Sequence, residues 1–275
     1  MSIVSETTRL KNAKVAIKTT IEDQGVNVPN ETLLDGMANR IEYISTNIIN
    51  RSIRKISNNN VEYIGTYAFH GCPNLTTVNF PSATRINIYA FHDCTHLTTL
   101  NFPAVTYIGY YAFCGCEKLT TADFPLISSI NDSVFRNCSS LTTLNFPAVT
   151  DIKPGAFSNC SSLTIVNFPA VKTIGSSVFR NCSSLTTANF PAVTNIDNAA
   201  FDSCSSLMAL ILRSETMAVL KYTNVFNGTP IYSGTGYIYV PAALIDSYKT
   251  ATNWTQYADQ FRAIEDYPDI CGGAE

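Results

Sequence analysis

The chain has 275 residues, 45% of them apolar, and 18 Lys and Arg against 21 Asp and Glu leave a formal net charge of −3. That length suits one continuous core with end caps. Over residues 64–214 the seven basic residues (Arg85, Lys118, Arg136, Lys153, Lys172, Arg180, Arg213) meet seven acidic ones, which argues against a nucleic-acid surface working by counterion displacement. No run of about 20 apolar residues offers a membrane span. The start, Met1 to Leu10, lacks an apolar signal core, so the leader is absent from this chain or export follows another route, such as phage assembly or lysis.

Residues 5–24 place Leu10, Ala13, Ile17 and Ile21 at helical spacing, until Gly25 and Pro29 break the pattern. A second helix is expected at about 31–44, with Asn30 as N-cap and Leu33, Leu34, Met37, Ile41 and Ile44 on one face. Within it, Thr32 to Ile41 resembles a short helical module found ahead of repeats in some bacteriophage and prophage proteins. Residues 1–50 therefore read as a helical N-terminal cap, covering a core that the first repeat must otherwise expose, or as a docking module.

Residues 51–214 are an array of seven regular units. Phe69, Phe91, Phe113, Phe135, Phe157, Phe179 and Phe201 stand 22 residues apart, each followed three places later by Cys72, Cys94, Cys116, Cys138, Cys160, Cys182 or Cys204. A fixed period in the twenties marks a stacked solenoid. In the unit from Leu97, the residues Leu97, Leu100 and Phe102 fit a short strand with alternate side chains inward. Pro103 ends that strand for want of an N–H, and proline returns at Pro81, Pro125, Pro147, Pro169 and Pro191. Val105 and Ile108 point inward from a second extended segment, and Ala112, Phe113 and Cys116 suit one helical turn. Each unit closes one coil of a parallel β-sheet solenoid.

These residues resemble the BspA-like, or Treponema-type, leucine-rich repeats, with the consensus I-G-x-x-A-F-x-x-C-x-x-L-x-x-[VI]-x-[FI]-P. Ile108-Gly109 through Pro125 and Ile174-Gly175 through Pro191 carry the likeness, which covers about residues 53–240. The resemblance implies an α/β leucine-rich-repeat solenoid with helical N-terminal and C-terminal caps. It also implies a bacterial cell-surface, secreted or phage-like protein that binds host or microbial surface proteins, glycans or matrix.

Nine cysteines are an odd number with seven in one column. Buried free thiols behaving as small hydrophobes fit best; disulfides would need the parallel Cβ vectors twisted, and Cys114-Gly115-Cys116 lacks the pair spacing of a zinc site. Outward strand positions are mostly Thr and Asn, and the column Asn79, Asn101, Asp123, Asn145, Asn167 and Asn189 reads as amides bonded up the stack or as a flat polar binding surface.

Departures from the repeat are more informative. The position before Ala-Phe reads Tyr67, Tyr89, Tyr111, then Ser133, Gly155, Ser177 and Ala199, and the position after Phe reads His70, His92, Cys114, Arg136, Ser158, Arg180 and Asp202. All three histidines (His96 is the third) lie in the first two of these coils, and Tyr107 and Tyr110 add rings in the next. Tyr67, Tyr89, Tyr111, Tyr110, His70 and His92 form a candidate ligand-binding patch of flat apolar area with polar tips; rings packing on one another or on the N-terminal cap is the competing reading. Spacing alone permits a metal at His70, His92 and Cys114, but no metal or cofactor is assigned.

Residues 215–275 read as a degenerate last repeat followed by a helical cap. Val225-Phe226-Asn227-Gly228 and Ile238-Tyr239-Val240-Pro241 echo the repeat, Ala242 to Thr250 should be helical, and Trp254, Tyr257 and Phe261 mark a second helical turn, with Trp254 over the last coil. Catalysis finds no convergent residue set: no histidine follows His96, and Asp93, Glu117 and Asp132 form no carboxylate pair. The expectation is a noncatalytic, adhesin-like binding protein of the cell surface or secreted medium. A phage or prophage tail-associated receptor-binding protein is the first alternative and a polysaccharide-degrading enzyme the second. Cytoplasmic and virion-associated locations stay open.

Overall fold

The computed structural model describes residues 40–41 and 53–271. The chain divides into two compact units, one of residues 1–127 with 137–145 and one of residues 128–136 with 146–275. Both are parallel β-solenoids of 22-residue coils in which a three-residue strand alternates with a two-residue strand.

In the first unit the longer strands Lys55–Ser57, Thr77–Asn79 and Thr99–Asn101 pair in parallel, as do Thr121–Asp123 and Thr143–Asn145. The shorter strands Tyr63–Ile64, Arg85–Ile86 and Tyr107–Ile108 make a second parallel ladder, joined at its edge by Arg40–Ile41. That pairing corrects the helix expected over 31–44. Parallel pairing gives the edge of Tyr63–Ile64 a hydrogen-bonding neighbour that a helix at Arg40–Ile41 would not supply, and it does so at an offset of 23, Ile41 opposite Ile64. The helix of 5–24 and the rest of 31–44 lie outside the described residues.

In the second unit the longer strands are Ile165–Asn167, Thr187–Asn189, Ala209–Ile211, Tyr237–Val240 and Phe261–Ala263, and the shorter ones run from Ser129–Ile130 to Val219–Leu220. Every register between regular coils is 22 residues, so like residues stack on like.

Two aromatic ladders fill the interior. Phe69, Phe91 and Phe113 stack at ring separations of 5.1 and 5.3 Å, interleaved with Phe80, Phe102 and Phe124. The second unit repeats this with Phe135, Phe157, Phe179, Phe201 and Phe226. All are fully or almost fully buried. Leu100 and Leu144 are only half-buried, where Val78, Ala122 and Val166 of the same column are covered. The seven column cysteines are free and buried. Six of these thiols do more than fill space: Cys94 Sγ donates to Phe69 O (3.0 Å), Cys116 to Phe91 O and Cys138 to Phe113 O. Cys160, Cys182 and Cys204 do the same to Phe135, Phe157 and Phe179. Burial pushes the Cys94, Cys116 and Cys182 thiols well up, so they stay protonated donors.

The expected helical turn at Ala112 to Cys116 is instead a run of overlapping four-residue turns. Ala112 N donates to Gly109 O, Cys114 N to Tyr111 O and Cys116 N to Phe113 O. The cause is a left-handed residue just before Ala-Phe in almost every coil, with φ of 59° at Tyr67, 56° at Tyr89, 56° at Tyr111 and 64° at Gly155, which an α-helical turn does not admit. Gly109 of the Ile-Gly pair has another reason: a Cβ there would lie 2.5 Å from Ile88 N of the previous coil.

The far end has the degenerate coil and cap. Phe226 stacks under Phe201, Tyr237–Val240 continues the sheet, and residues 242–250 are a 3₁₀ turn followed by the helix Ile245–Thr250. Phe261 opens a strand paired with Tyr237–Val240, not the second helical turn expected there; residues 255–260 before it form a 3₁₀ helix. A last coil leaves backbone groups that a next coil would have paired. Here Trp254 Nε1 donates to Ala218 O (2.8 Å), Ala218 N donates to the Tyr248 hydroxyl (2.8 Å), Asn253 Nδ2 to Leu220 O and the Tyr257 hydroxyl to Thr223 O. Trp254 is buried and its ring packs on Phe226 at 6.2 Å, a structural position. Burial pushes the Tyr257 hydroxyl up to about 12.

Candidate recognition face

Three surfaces of the coil carry side chains outward. On the longer strands the amide column is bonded along the stack: Asn79 Nδ2 donates to Ser57 Oγ, Asn101 Nδ2 to Asn79 Oδ1, Asn145 Nδ2 to Asp123 Oδ1 and Asn189 Nδ2 to Asn167 Oδ1. Thr76, Thr98, Thr142 and Thr186 hydroxyls likewise donate to carbonyls 22 residues back. These columns spend their polar groups on one another. On the shorter strands Tyr107 is half-buried beneath the Arg85 guanidinium, 3.8 Å from its ring centroid.

The third surface is the turn edge, and it holds the predicted patch. Tyr67, Tyr89 and Tyr111 rings lie parallel at 5.0 Å separations, with interplanar angles of 4° and 9°. Stacking of this kind follows from their shared left-handed backbone, which projects each side chain in the same direction one coil apart. Tyr67 is 42% exposed and Tyr110, next to the ladder, 44%; Tyr89 and Tyr111 are half-buried. His70 and His92 form a second stack at 5.1 Å and 10°, and each imidazole meets a tyrosine edge-on, Tyr67–His70 at 5.5 Å and Tyr89–His92 at 5.3 Å. Five rings thus make one two-column surface.

Cys114, the next residue of the histidine column, is buried at 5% exposure and leaves the face. Asp93 takes its place. At φ 57° its side chain lies beside His92, with Oδ2 3.1 Å from Nδ1. This close pair with Asp93 is poorly aligned, and among the described residues the buried Nδ1 has no other partner. Burial lowers the His92 pKa, Asp93 raises it and His70 lowers it again, with burial the largest effect, so the ring is neutral at pH 7. His70, His92 and Asp93 together present three ligand atoms within 4.8 Å of one another. The sequence offered no warning of Asp93, which reads there as one more scattered carboxylate; the residues filling its column elsewhere, Gly71, Gly115, Asn137 and Asn159, are turn formers.

A stacked-coil β-solenoid with an aromatic turn edge is a repeat scaffold presenting a surface, and its coil is that of a leucine-rich repeat. The chain belongs to the BspA type leucine rich repeat region family, whose model matches residues 42–151, 84–208 and 128–233. No curated protein sequence matches the chain. Similar solved structures include a leucine-rich repeat protein from Eubacterium ventriosum (21% identity over 64% of this chain, TM-score 0.41). This chain spans 42% of that one. A leucine rich cell surface protein from Faecalibacterium prausnitzii is 18% identical over 82% of this chain and 87% of its own, with a TM-score of 0.45. The leucine rich repeat protein of T. pallidum is 21% identical over 86% and 98%, also at 0.45. The matching family is a repeat family, not an enzyme family, and no helix among the described residues is long and apolar enough to cross a membrane.

Proposed function

We propose that this protein is a noncatalytic binding protein of the bacterial surface or secreted medium, engaging a protein or glycan through the turn edge of its first coils. The tyrosine ladder carries this reading. The same backbone position holds Ser133, Gly155, Ser177 and Ala199 in later coils, so the coil has no need of a ring there. Three parallel tyrosines at the surface, flanked by imidazoles, offer flat apolar area with hydroxyl tips, the composition of recognition hot spots. The family membership supports a surface location, and nothing among the described residues assembles a nucleophile, base and oxyanion donor.

The test is the triple change of Tyr67, Tyr89 and Tyr111 to Ser, a residue the column already carries. Wild-type protein should be captured on a glycan array or by immobilised extracellular-matrix proteins and the variant should not, while both unfold at nearly the same temperature. Undiminished capture by the variant refutes the reading. The docking alternative rests on residues 1–50; deleting them should release the chain from purified phage tails if that role holds.

A further inference from the structure

The imidazoles of His70 and His92 stack one coil apart, 5.1 Å between centroids and 10° between planes. Asp93 brings a carboxylate oxygen within 4.8 Å of a ring nitrogen of each, held over Gly115, where a Cβ would run into its Oδ1. Nδ1 of His92 is shut off from solvent and 3.1 Å from Asp93 Oδ2, and among the described residues it makes no well-aligned hydrogen bond. A buried ring nitrogen that points at no hydrogen-bond partner is costly unless something else occupies its lone pair or proton. We propose that His70, His92 and Asp93 hold one divalent transition-metal ion, of the zinc class, beside the tyrosine ladder.

Two imidazoles and one carboxylate are a borderline-soft donor set suited to Zn²⁺, Ni²⁺ or Cu²⁺. Hard Mg²⁺ and Ca²⁺ prefer shells of oxygen. A tetrahedral zinc site has ligand atoms about 3.3 Å apart, so three atoms within 4.8 Å need close by no more than about 1.5 Å. Rotation about the side-chain bonds of His70 and of Asp93, whose side chain is 56% exposed, supplies that without moving the backbone. Three protein ligands leave one position for water or for a carboxylate or carbonyl of a bound partner. Only this last use rests on the recognition face proposed above; the metal site stands on its own three side chains.

Zn²⁺ alone, titrated calorimetrically into metal-stripped full-length chain in a non-coordinating buffer, is the test. One ion should bind per chain, with Mg²⁺ giving no heat. His92→Ser and Asp93→Asn place at each position a residue its own column carries, Ser158 and Asn137, so the fold is kept. Each should weaken binding by roughly tenfold or more, and the double variant should abolish it, with metal-free melting temperatures unchanged. X-ray absorption of the loaded protein should show a nitrogen and oxygen shell without sulfur. Absence of stoichiometric binding, binding that survives in the double variant, or a sulfur shell from the cysteines overturns the site. If the metal fails while the triple tyrosine variant still loses capture, this inference falls and the recognition face stands. If zinc binds while that variant captures normally, the converse holds.

Discussion

The first coils and the later ones share a backbone and a core yet differ at one edge. At left-handed φ near 56° the first unit places Tyr67, Tyr89 and Tyr111, where the second places Ser133, Gly155, Ser177 and Ala199. Behind that edge both have the same stacked phenylalanines and the same thiol-to-carbonyl bonds. The comparison separates what the coil requires from what it only tolerates. Interior columns are fixed by burial in both regions; the turn edge is free to vary, and in one region it varies toward rings.

The strongest way to break that comparison is in the core. Phe91→Ala and Phe157→Ala should each cost about 3–5 kcal/mol in urea unfolding, since both rings are fully buried in equivalent stacks. A difference between them much larger than about 1.5 kcal/mol would mean the columns are not equivalent. Alkaline pH strikes both regions together. Burial raises the Cys94 and Cys182 thiols well above a thiol's ordinary value of 9.0, so the folded chain holds protons that the unfolded chain releases. Stability is fully present below pH 9 and should fall as pH rises above it, read as a decline in melting temperature between pH 8 and pH 10.5 that Cys182→Ala reduces.

Smaller effects sharpen the difference at the edge. The triple change of Tyr67, Tyr89 and Tyr111 to Ser removes two stacked pairs worth about 0.5–1.5 kcal/mol each when buried. These are half-exposed, so chemical denaturation should register about 1 kcal/mol or less in total. A loss of about 4 kcal/mol, on the scale of a core truncation, would make the rings structural. Similar in size is Gly155→Ala, the second-region counterpart. At φ 64° an added Cβ should cost about 1 kcal/mol, and a cost near zero would mean the column exerts no strain on its tyrosines.

Much of this was legible in the residues because a solenoid writes its core as a period. Phe113 and Cys138 could be placed inside by counting alone, and Tyr67, Tyr89 and Tyr111 stood out by departing from their column. What period could not give was direction. The thiol of Cys94 reaches a carbonyl 25 residues back, and carbonyls leave no mark in a sequence. Asp93 joins His92 because its turn is left-handed, a property shared with the Asn and Gly of its column and not readable from its charge. Cys114 shows the reverse: spacing put it in line with His70 and His92 as a possible metal ligand, but it is buried. Arg40–Ile41 misled because Leu33, Leu34, Met37 and Ile41 follow a helical period while the sheet edge offers a partner for a strand.

Bonds between regular coils recur with the 22-residue period, spanning 21 to 23 residues along the backbone, 22 in the threonine and asparagine columns and 25 for the cysteine thiols. Duplicating or deleting one whole 22-residue block within the array therefore returns each donor to an equivalent acceptor, while gain or loss of a single residue misplaces them all. Such a chain is open to growth by unequal recombination, so the reach of a surface like this is a quantity selection could tune without inventing new structure.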